Sequence, residues 1–430
     1  MALDKERLKA AQAALTIDDE LLRETVSAFR IDMRQGLMGD RHSSLRMLRS
    51  YVALPTGQEK GEFLALDFGG TNVRVVRILL KGNGEFEVIK KVAKPLVMPG
   101  VYNHISASAR AEEMFDFIAE LVEEAIEGNH DTQYLLGHTF SFPSKQTNIY
   151  NARLIIWTKE FATKGVEGEV VNDLLKAALN RKGIPNVEPV AVINDTVAVL
   201  LAAAYKQADT YIGSIYATGQ NNCYFETFDG QEETPTVINM ESGGFNKLVA
   251  SKYDLQIDET SEKPGEQRLE KMVSGRYLGT LFGHALADVL QNDRPYRFTS
   301  IDLSAIVMDE YLDKHVAGVL LEERTGKQFT PIERAQLQEL AATVIARSAR
   351  LVAMTYAGII RQRAGADEIS EQYIAVDGSV YEKMPLVKEN VREALKALLG
   401  KEASKIHLIL ENAGSALGAA IAAAMTETKH

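Results

Sequence analysis

The chain has a single cysteine, Cys223, among 430 residues. No intrachain disulfide can form and one thiol cannot build a structural zinc site, so the sequence is expected to work in a reducing, cytoplasmic setting. Positive charge is also short: 48 Lys and Arg stand against 59 Asp and Glu, for a net charge of -11. Nucleic acid and anionic membranes need a positive field, so neither is expected as a partner, and any anionic ligand has to be held by local donors. Long apolar runs are missing as well. The N-terminus is charged from Asp4 to Arg7, unlike a secretory leader. The most apolar late stretch, 413–425, contains Gly414, Ser415 and Gly418. It is shorter than the roughly 20 residues that cross a bilayer and reads as a buried helix. Nor is there a low-complexity linker. The remainder, 46% hydrophobic and 25% charged, has the composition of an ordinary globular protein.

A single hydrophobic core stops growing at roughly 250–300 residues, so this length implies two or three domains or one large two-lobed unit, with a cleft available between lobes. Residues 5–50 carry helical spacing, ended by Pro55-Thr56-Gly57. Alternation at 63–68, 73–80 and 86–92, with a Gly82-Asn83-Gly84 turn, predicts a three-stranded meander. Met114, Phe117, Ile118, Leu121, Val122 and Ile126 share one face of a predicted helix over 109–127. A strand at 134–142, a helix at 171–179 and a strand at 187–194 continue an α/β alternation. The order then starts again with strands at 211–216, 223–228 and 236–240, a weak internal duplication. Helices are predicted at 278–290, 303–317, 331–359 and 391–399, around a strand ending at Asp377. The expected fold class is therefore α/β, with mixed sheets flanked by helices and a cleft between a small and a large domain. The expected division is a helical segment, 1–58, packed on the large domain; a small α/β domain, 59–193; a large one, 194–412; and a C-terminal helix, 413–430, returning to the small domain.

Three places could carry chemistry. In LDFGGTNVR, residues 66–74, an apolar strand ends in Asp67 and two glycines turn the chain back into another strand. Such a turn exposes N–H groups that can approach phosphate oxygens, and Asp67 could face a Mg²⁺ shell through water; an ordinary hairpin turn is the plainer reading. A dinucleotide fingerprint would open a helix here, whereas 73–80 reads as a strand, and the P-loop signature is absent. Residues 217–221, Ala-Thr-Gly-Gln-Asn, form a second small-residue turn that could face the first across one phosphate chain. At Asn194-Asp195 the apolar run 187–193 stops abruptly before the apolar stretch 196–204. A carboxylate there lies where α/β sheets present ligands, or it caps the following helix.

Taken together these strings resemble the eukaryotic-type hexokinase family, ATP-dependent hexokinases and glucokinases, in order from about residue 60 to residue 425. The resemblance implies a two-lobed actin-like ATPase (ribonuclease H-like) fold in a single catalytic unit. It implies a first phosphate loop made of Asp67, Gly69, Gly70, Thr71, Asn72 and Arg74, and a sugar signature in SFPSKQT, 141–147, followed by WTKEF, 157–161. Ser141, Phe142 and Pro143 would line the sugar site, and Thr158 and Lys159 would touch the hexose and the transferring phosphate. Asn194 would bond sugar hydroxyls and Asp195 would take the proton of the 6-hydroxyl, with Lys159 supplying the local positive charge that phosphoryl transfer needs. Asn221, Glu241, Gln267 and Glu270 complete the implied sugar set, whose carboxylates and amides suit a polyol. Thr218, Gly378, Ser379, Gly414 and Ser415 would sit on the nucleotide. The implied reactants are a hexose (glucose, with mannose or fructose as alternatives) and MgATP, with Mg²⁺ carried by ATP rather than by dedicated protein ligands, in a monomer or homodimer.

Several positions depart from the family pattern: Ala217 for the first glycine of the second loop, Glu160 for the glycine after the lysine, Ser242-Gly243 for tryptophan-glycine, and the residues Gln220 and Asn222. These bear on sugar preference, nucleotide affinity and product inhibition. Two other readings stand beside the kinase: a hexokinase-like sugar sensor without turnover, and another actin-like ATPase or acyl-phosphate kinase. The second should lack the combined SFP, TK, ND and paired-glutamate set.

Overall fold

The computed structural model describes residues 3–427 except 69, 71, 159, 229–232 and 413. The chain opens with helices α1 (Lys5–Leu15) and α2 (Asp19–Leu37). Each is started by an aspartate whose carboxylate accepts first-turn N–H groups: Asp4 from Glu6 and Arg7, and Asp18 from Leu21. Helix does not continue to residue 50, as the spacing suggested. Gly39 turns with φ 72, and the chain then runs along a sheet edge, the N–H groups of Arg46 and Met47 both donating to the Met240 carbonyl. Strand β1 (Leu48–Arg49) follows from that pairing. Edge pairing here outweighs amphipathic spacing.

The small lobe is one sheet covered on both faces. The meander β2 (Lys60–Phe68), β3 (Asn72–Gly82) and β4 (Glu85–Pro95) is antiparallel. A short ribbon, β5 (Val97–Met98) with β6 (Tyr102–Asn103), leads to α3 (Ala111–Ile126) and then to β7 (Tyr134–Phe140), parallel to β2. The ribbon β8 (Ser144–Lys145) and β9 (Arg153–Leu154) precedes α4 (Val171–Arg181) and β10 (Val187–Ile193), parallel to β7. The order is β10-β7-β2-β3-β4. Side-chain parity explains the two covers. Leu64, Leu66, Phe68, Val73 and Val75 pack with α3 and α4, while Phe63, Ala65, Val76, Ile78 and Leu80 pack on the opposite face.

The large lobe repeats this plan. Helix α5 (Asp195–Lys206) leaves the end of β10 and leads to the antiparallel β11 (Thr210–Tyr216), β12 (Gln220–Glu226) and β13 (Thr236–Asn239). The second of these starts and stops earlier than 223–228; Phe228 has φ 54 and leaves the ladder. Helices α6 (Lys252–Thr260), α7 (Arg268–Val273), α8 (Gly275–Val289), α9 (Ser300–Val307), α10 (His315–Thr325) and α11 (Pro331–Ala364) follow. The single helix expected at 303–317 is broken. Asp309 accepts the N–H groups of Tyr311 and Ala317, and Lys314 has φ 51, which together turn the chain between α9 and α10. Next come β14 (Gln372–Asp377), α12 (Ser379–Lys383), α13 (Val387–Leu399), β15 (Ile406–Leu410) and α14 (Gly414–Glu427). The order β1-β13-β12-β11-β14-β15, with β11, β14 and β15 parallel, reproduces the small sheet strand for strand once the edge strand β1 is set aside. The duplication is therefore of topology, and includes β15, which the sequence pattern did not reveal.

Between the sheets lie α5, which packs on β11, β12 and β14, and α14, which packs on β2, β7 and β10 and directly against α5. This pair sets one lobe on the other. The spine of the large lobe is α11, whose buried Arg347 makes two bonds, of 3.0 and 2.7 Å, to the carboxylate of Asp254. Helices α1 and α2 pack on α11.

Candidate active site

The carboxyl ends of the parallel strands β2, β7 and β10 lie together at one end of the small sheet, the position where open α/β sheets present ligands. Asp67 ends β2 and is aligned with Thr139 of β7, which in turn is aligned with Ile193 of β10. The next residues are Asn194 and Asp195. The helix cap falls on Asn194 rather than on Asp195. Asn194 is the cap of α5, its side chain accepting the Thr196 N–H at 2.9 Å. Asp195 Oδ1 accepts the same N–H at 2.7 Å, and the Asp195 N–H donates to Ser141 Oγ at 3.3 Å, which brings the 141–147 segment of the small lobe onto this residue.

The charge of Asp195 is felt by three other carboxyls. Burial raises Asp67 above its ordinary value, against the pull of Arg74, whose Nη1 donates to Asp67 Oδ2 at 3.1 Å; Asp195 adds to the rise. Burial, then the charges of Glu411 and Asp195, push Asp377 up to about 6. Burial likewise raises Glu241, opposed by a bond from Asn239 and reinforced by Asp195 and Glu270. Glu270 is raised by burial against the Gln220 N–H it accepts at 3.1 Å. Such a crowd of half-desolvated carboxyls suits a ligand rich in hydroxyl donors and a cation. Among the described residues no three His, Cys, Asp or Glu side chains gather closely enough to hold a metal ion themselves.

A pH dependence follows. The folded-state value of Asp377 lies above the ordinary 3.8. The native protein therefore binds that proton more tightly than the unfolded chain, and the group's contribution to stability is lost as pH rises from about 4 through about 6. Asp377→Asn is expected to raise the thermal midpoint of the ligand-free protein at about pH 8, and the gain should shrink toward about pH 4.5. Thermal melts of both proteins across that range check it.

On the large lobe a chain of amides leads to Glu241. Asn221 Oδ1 accepts the N–H groups of Asn222 and Ser242, its Nδ2 donates to Asn239 Oδ1 at 2.8 Å, and Asn239 Nδ2 donates to Glu241 Oε1 at 2.8 Å. Glu241 and Gln267 both hold left-handed backbone, φ 54 and 52, a strained state for non-glycine residues that clusters at functional sites. Two glycines make room for this group. A Cβ on Gly219 would stand 2.9 Å from Glu270 Oε2, and one on Gly243 would stand 2.7 Å from Gln267 Oε1. Gly219 has no positive φ, and a Cβ there would meet the far end of the Glu270 side chain.

The other site residues fall into place unevenly. Phe142 packs its buried ring edge-on against Trp157 at 4.8 Å and against Phe161 at 5.0 Å, beside Phe68. Its apolar surface is satisfied in the small-lobe core, where it braces both Phe68, next to Asp67, and the loop bearing Thr158. Pro143 is exposed, its carbonyl accepting the Ile155 N–H, and Thr158 is half-buried with its carbonyl accepting the Phe161 N–H. Gly70, Asn72 and Arg74 are exposed at the first turn, whereas Gly69, Thr71 and Lys159 lie outside the described residues. Thr218 is exposed on the second turn, where the carbonyls of Ala217 and Thr218 accept N–H groups of Gly275 and Arg276 at the start of α8. Gly378 has φ 130, and a Cβ there would stand 2.4 Å from the Tyr216 carbonyl; Ser379 beside it is exposed. Gly414 is buried against Val199, and the Ser415 carbonyl accepts the Thr139 hydroxyl at 2.9 Å.

The departures from the family pattern have local reasons. Ala217 lacks positive φ, so its methyl is tolerated. Ser242 is buried and donates to Gln220 Oε1 at 3.2 Å, and Asn222 donates to Thr355 at 2.8 Å, so the three polar replacements form part of the wall behind Glu241. Glu160 is exposed. The family resemblance puts Asp377 only in a nucleotide-side turn, 376–379, and gives its carboxylate no role of its own. The signal used for Asp67, a carboxylate ending an apolar strand, was present there too.

Comparison with known proteins adds a second line. Family models described as Hexokinase match residues 7–205 and 211–425. Hexokinase-1 of Schizosaccharomyces pombe is 34% identical to the chain, covering 98% of it and 91% of the relative. A crystal structure of a hexokinase superposes with TM-score 0.89 at 33% identity, covering 98% of this chain and 99% of the other. The hexokinase from Schistosoma mansoni complexed with glucose superposes with TM-score 0.80 at 31% identity, covering 98% of each chain.

Proposed function

The chain belongs to the hexokinase family and is a sugar-phosphorylating phosphotransferase, and from that premise we propose that it moves the γ-phosphate of MgATP onto the 6-hydroxyl of a hexose, with glucose as the preferred sugar and Asp195 as the general base. The observation that carries the assignment of Asp195 is its position. It is the first residue of α5 at the carboxyl end of β10, bonded to Ser141 of the small lobe and electrostatically coupled to both the Asp67 and the Glu241 sides of the cleft.

In this reading the hexose lies on Asn194, Asn221, Glu241, Gln267 and Glu270, and the small lobe brings Ser141, Thr158 and Lys159 over it. Closure expels water, which strengthens the polar contacts and limits hydrolysis of ATP by solvent. Asp195 accepts the 6-hydroxyl proton as the oxygen attacks phosphorus. Mg²⁺ bound to ATP would offset charge on its phosphates, and the carboxylates of Asp67 and Asp377 would face its hydration shell. Lys159 and Arg74 spread the remaining charge, with Gly70, Asn72 and Thr218 on the phosphates and Gly378, Ser379, Gly414 and Ser415 toward the nucleoside. The setting is cytoplasmic and the assembly a monomer or homodimer.

MgATP-dependent phosphorylation of glucose, mannose and fructose by the purified chain is the direct test. Robust turnover with a clear ranking is expected, glucose first. A folded protein that binds glucose but shows no turnover would instead be a sensor.

A further inference from the structure

The loop that carries Gln267 to the cleft is fastened from behind by a buried ion pair. The Asp258 carboxylate, on α6, accepts the Lys271 ammonium at 2.6 Å and the Gly265 N–H at 3.0 and 2.9 Å to its two oxygens. Lys271 is 5% exposed and donates a second time, to the Lys263 carbonyl at 2.7 Å. Arg268 stands 3.6 Å from the same carboxylate. Burial works against the charge on Asp258, but the Lys271 and Gly265 bonds outweigh it and hold the carboxyl below its ordinary value.

This pair ties residues 263 and 265 to α6, and one of its members is the immediate neighbour of Glu270. Gln267, two residues past Gly265, has the left-handed φ of 52 and accepts the Lys271 N–H at 3.0 Å, so the strained turn and the first turn of α7 are held at the same point. Two apolar side chains would fill the space at lower desolvation cost but would bond neither Lys263 nor Gly265. What the charges add is therefore geometry. We infer that Asp258 and Lys271 are positioning residues for the sugar: they hold the 261–267 loop so that Gln267 and Glu270 meet the hexose. This rests on the reading that Glu270 touches the sugar.

The test compares Lys271→Met, the neutral pair Asp258→Asn/Lys271→Met and Glu270→Ala with the unaltered enzyme, folding of each checked by circular dichroism. The neutral pair guards against a stranded buried charge unfolding the protein. Both clamp variants are expected to raise the KM for glucose by about tenfold or more while changing the KM for ATP less than about twofold, a split that general loosening would not produce. Across a set of monodeoxyglucoses, Lys271→Met should lose least with the analogue on which Glu270→Ala also loses least. A folded neutral pair with glucose KM within about twofold of the unaltered enzyme overturns the inference. If Glu270→Ala itself leaves glucose KM unchanged, the sugar reading of that residue falls, and the clamp with it.

Discussion

Asp195→Asn is expected to lower kcat by roughly 10²–10³-fold while leaving sugar binding nearly intact. The amide keeps the shape of the carboxylate, and its oxygen can still accept the Thr196 N–H that Asp195 Oδ1 accepts at 2.7 Å, so the start of α5 stays formed. What is lost is the ability to take a proton. Binding can be followed without turnover because the chain has one tryptophan, Trp157. It is buried in the small-lobe aromatic group, one residue from Thr158, with its Nε1 donating to the Thr163 carbonyl at 2.9 Å. A glucose titration of its fluorescence should give similar dissociation constants for both proteins. Loss of turnover with retained binding assigns the base. Retained turnover removes Asp195 from that role and leaves the family assignment untouched, since that rests on the whole chain.

The sequence carried the cleft further than its walls. Asp67 and Asp195 were legible because each breaks an apolar run at a strand end, a pattern that burial alone imposes. Glu241 and Gln267 entered only through the family resemblance. Their left-handed backbone carries no mark in the sequence, and the room for the Gln267 side chain comes from Gly243, twenty-four residues earlier. The Asp258–Lys271 pair was hidden for the same reason: thirteen residues apart, both read as surface charges until the fold buries them together. The break between α9 and α10 depends on one carboxylate accepting two N–H groups, which helical spacing does not encode. The motif position of Phe142 does not tell which way its ring turns; the ring's apolar surface takes it into the aromatic group with Trp157 and Phe161. The five-residue β15 was missed because an apolar run that short carries no period, and two helices separate it from its partner β14.

The α5–α14 layer leads to the largest stability effects expected outside the cleft, from the smallest substitutions. A Cβ on Gly137 of β7 would stand 1.8 Å from the Ala419 carbonyl of α14, and one on Gly418 would stand 2.1 Å from the Ala198 carbonyl of α5. Neither glycine has positive φ, so the demand is for contact distance and not for backbone freedom. In both cases the opposing atom is main chain and no side-chain rotation relieves the clash. Overpacking of a well-filled core usually costs about 1–3 kcal/mol, and with two backbones pressed together each glycine-to-alanine change should reach or exceed about 3 kcal/mol. Denaturant or thermal unfolding of Gly137→Ala and Gly418→Ala measures this directly, and a shift below about 1 kcal/mol for both would refute the tight layer. The two should differ in function. Gly137→Ala pushes α14 away from the small sheet, whereas Gly418→Ala presses on α5 at Ala198, whose N–H donates to the Asn194 carbonyl in the first turn of the helix that presents Asp195. At a temperature where both remain folded, Gly418→Ala should therefore show the larger fall in kcat, because the displacement it forces is delivered to the element that aims the base.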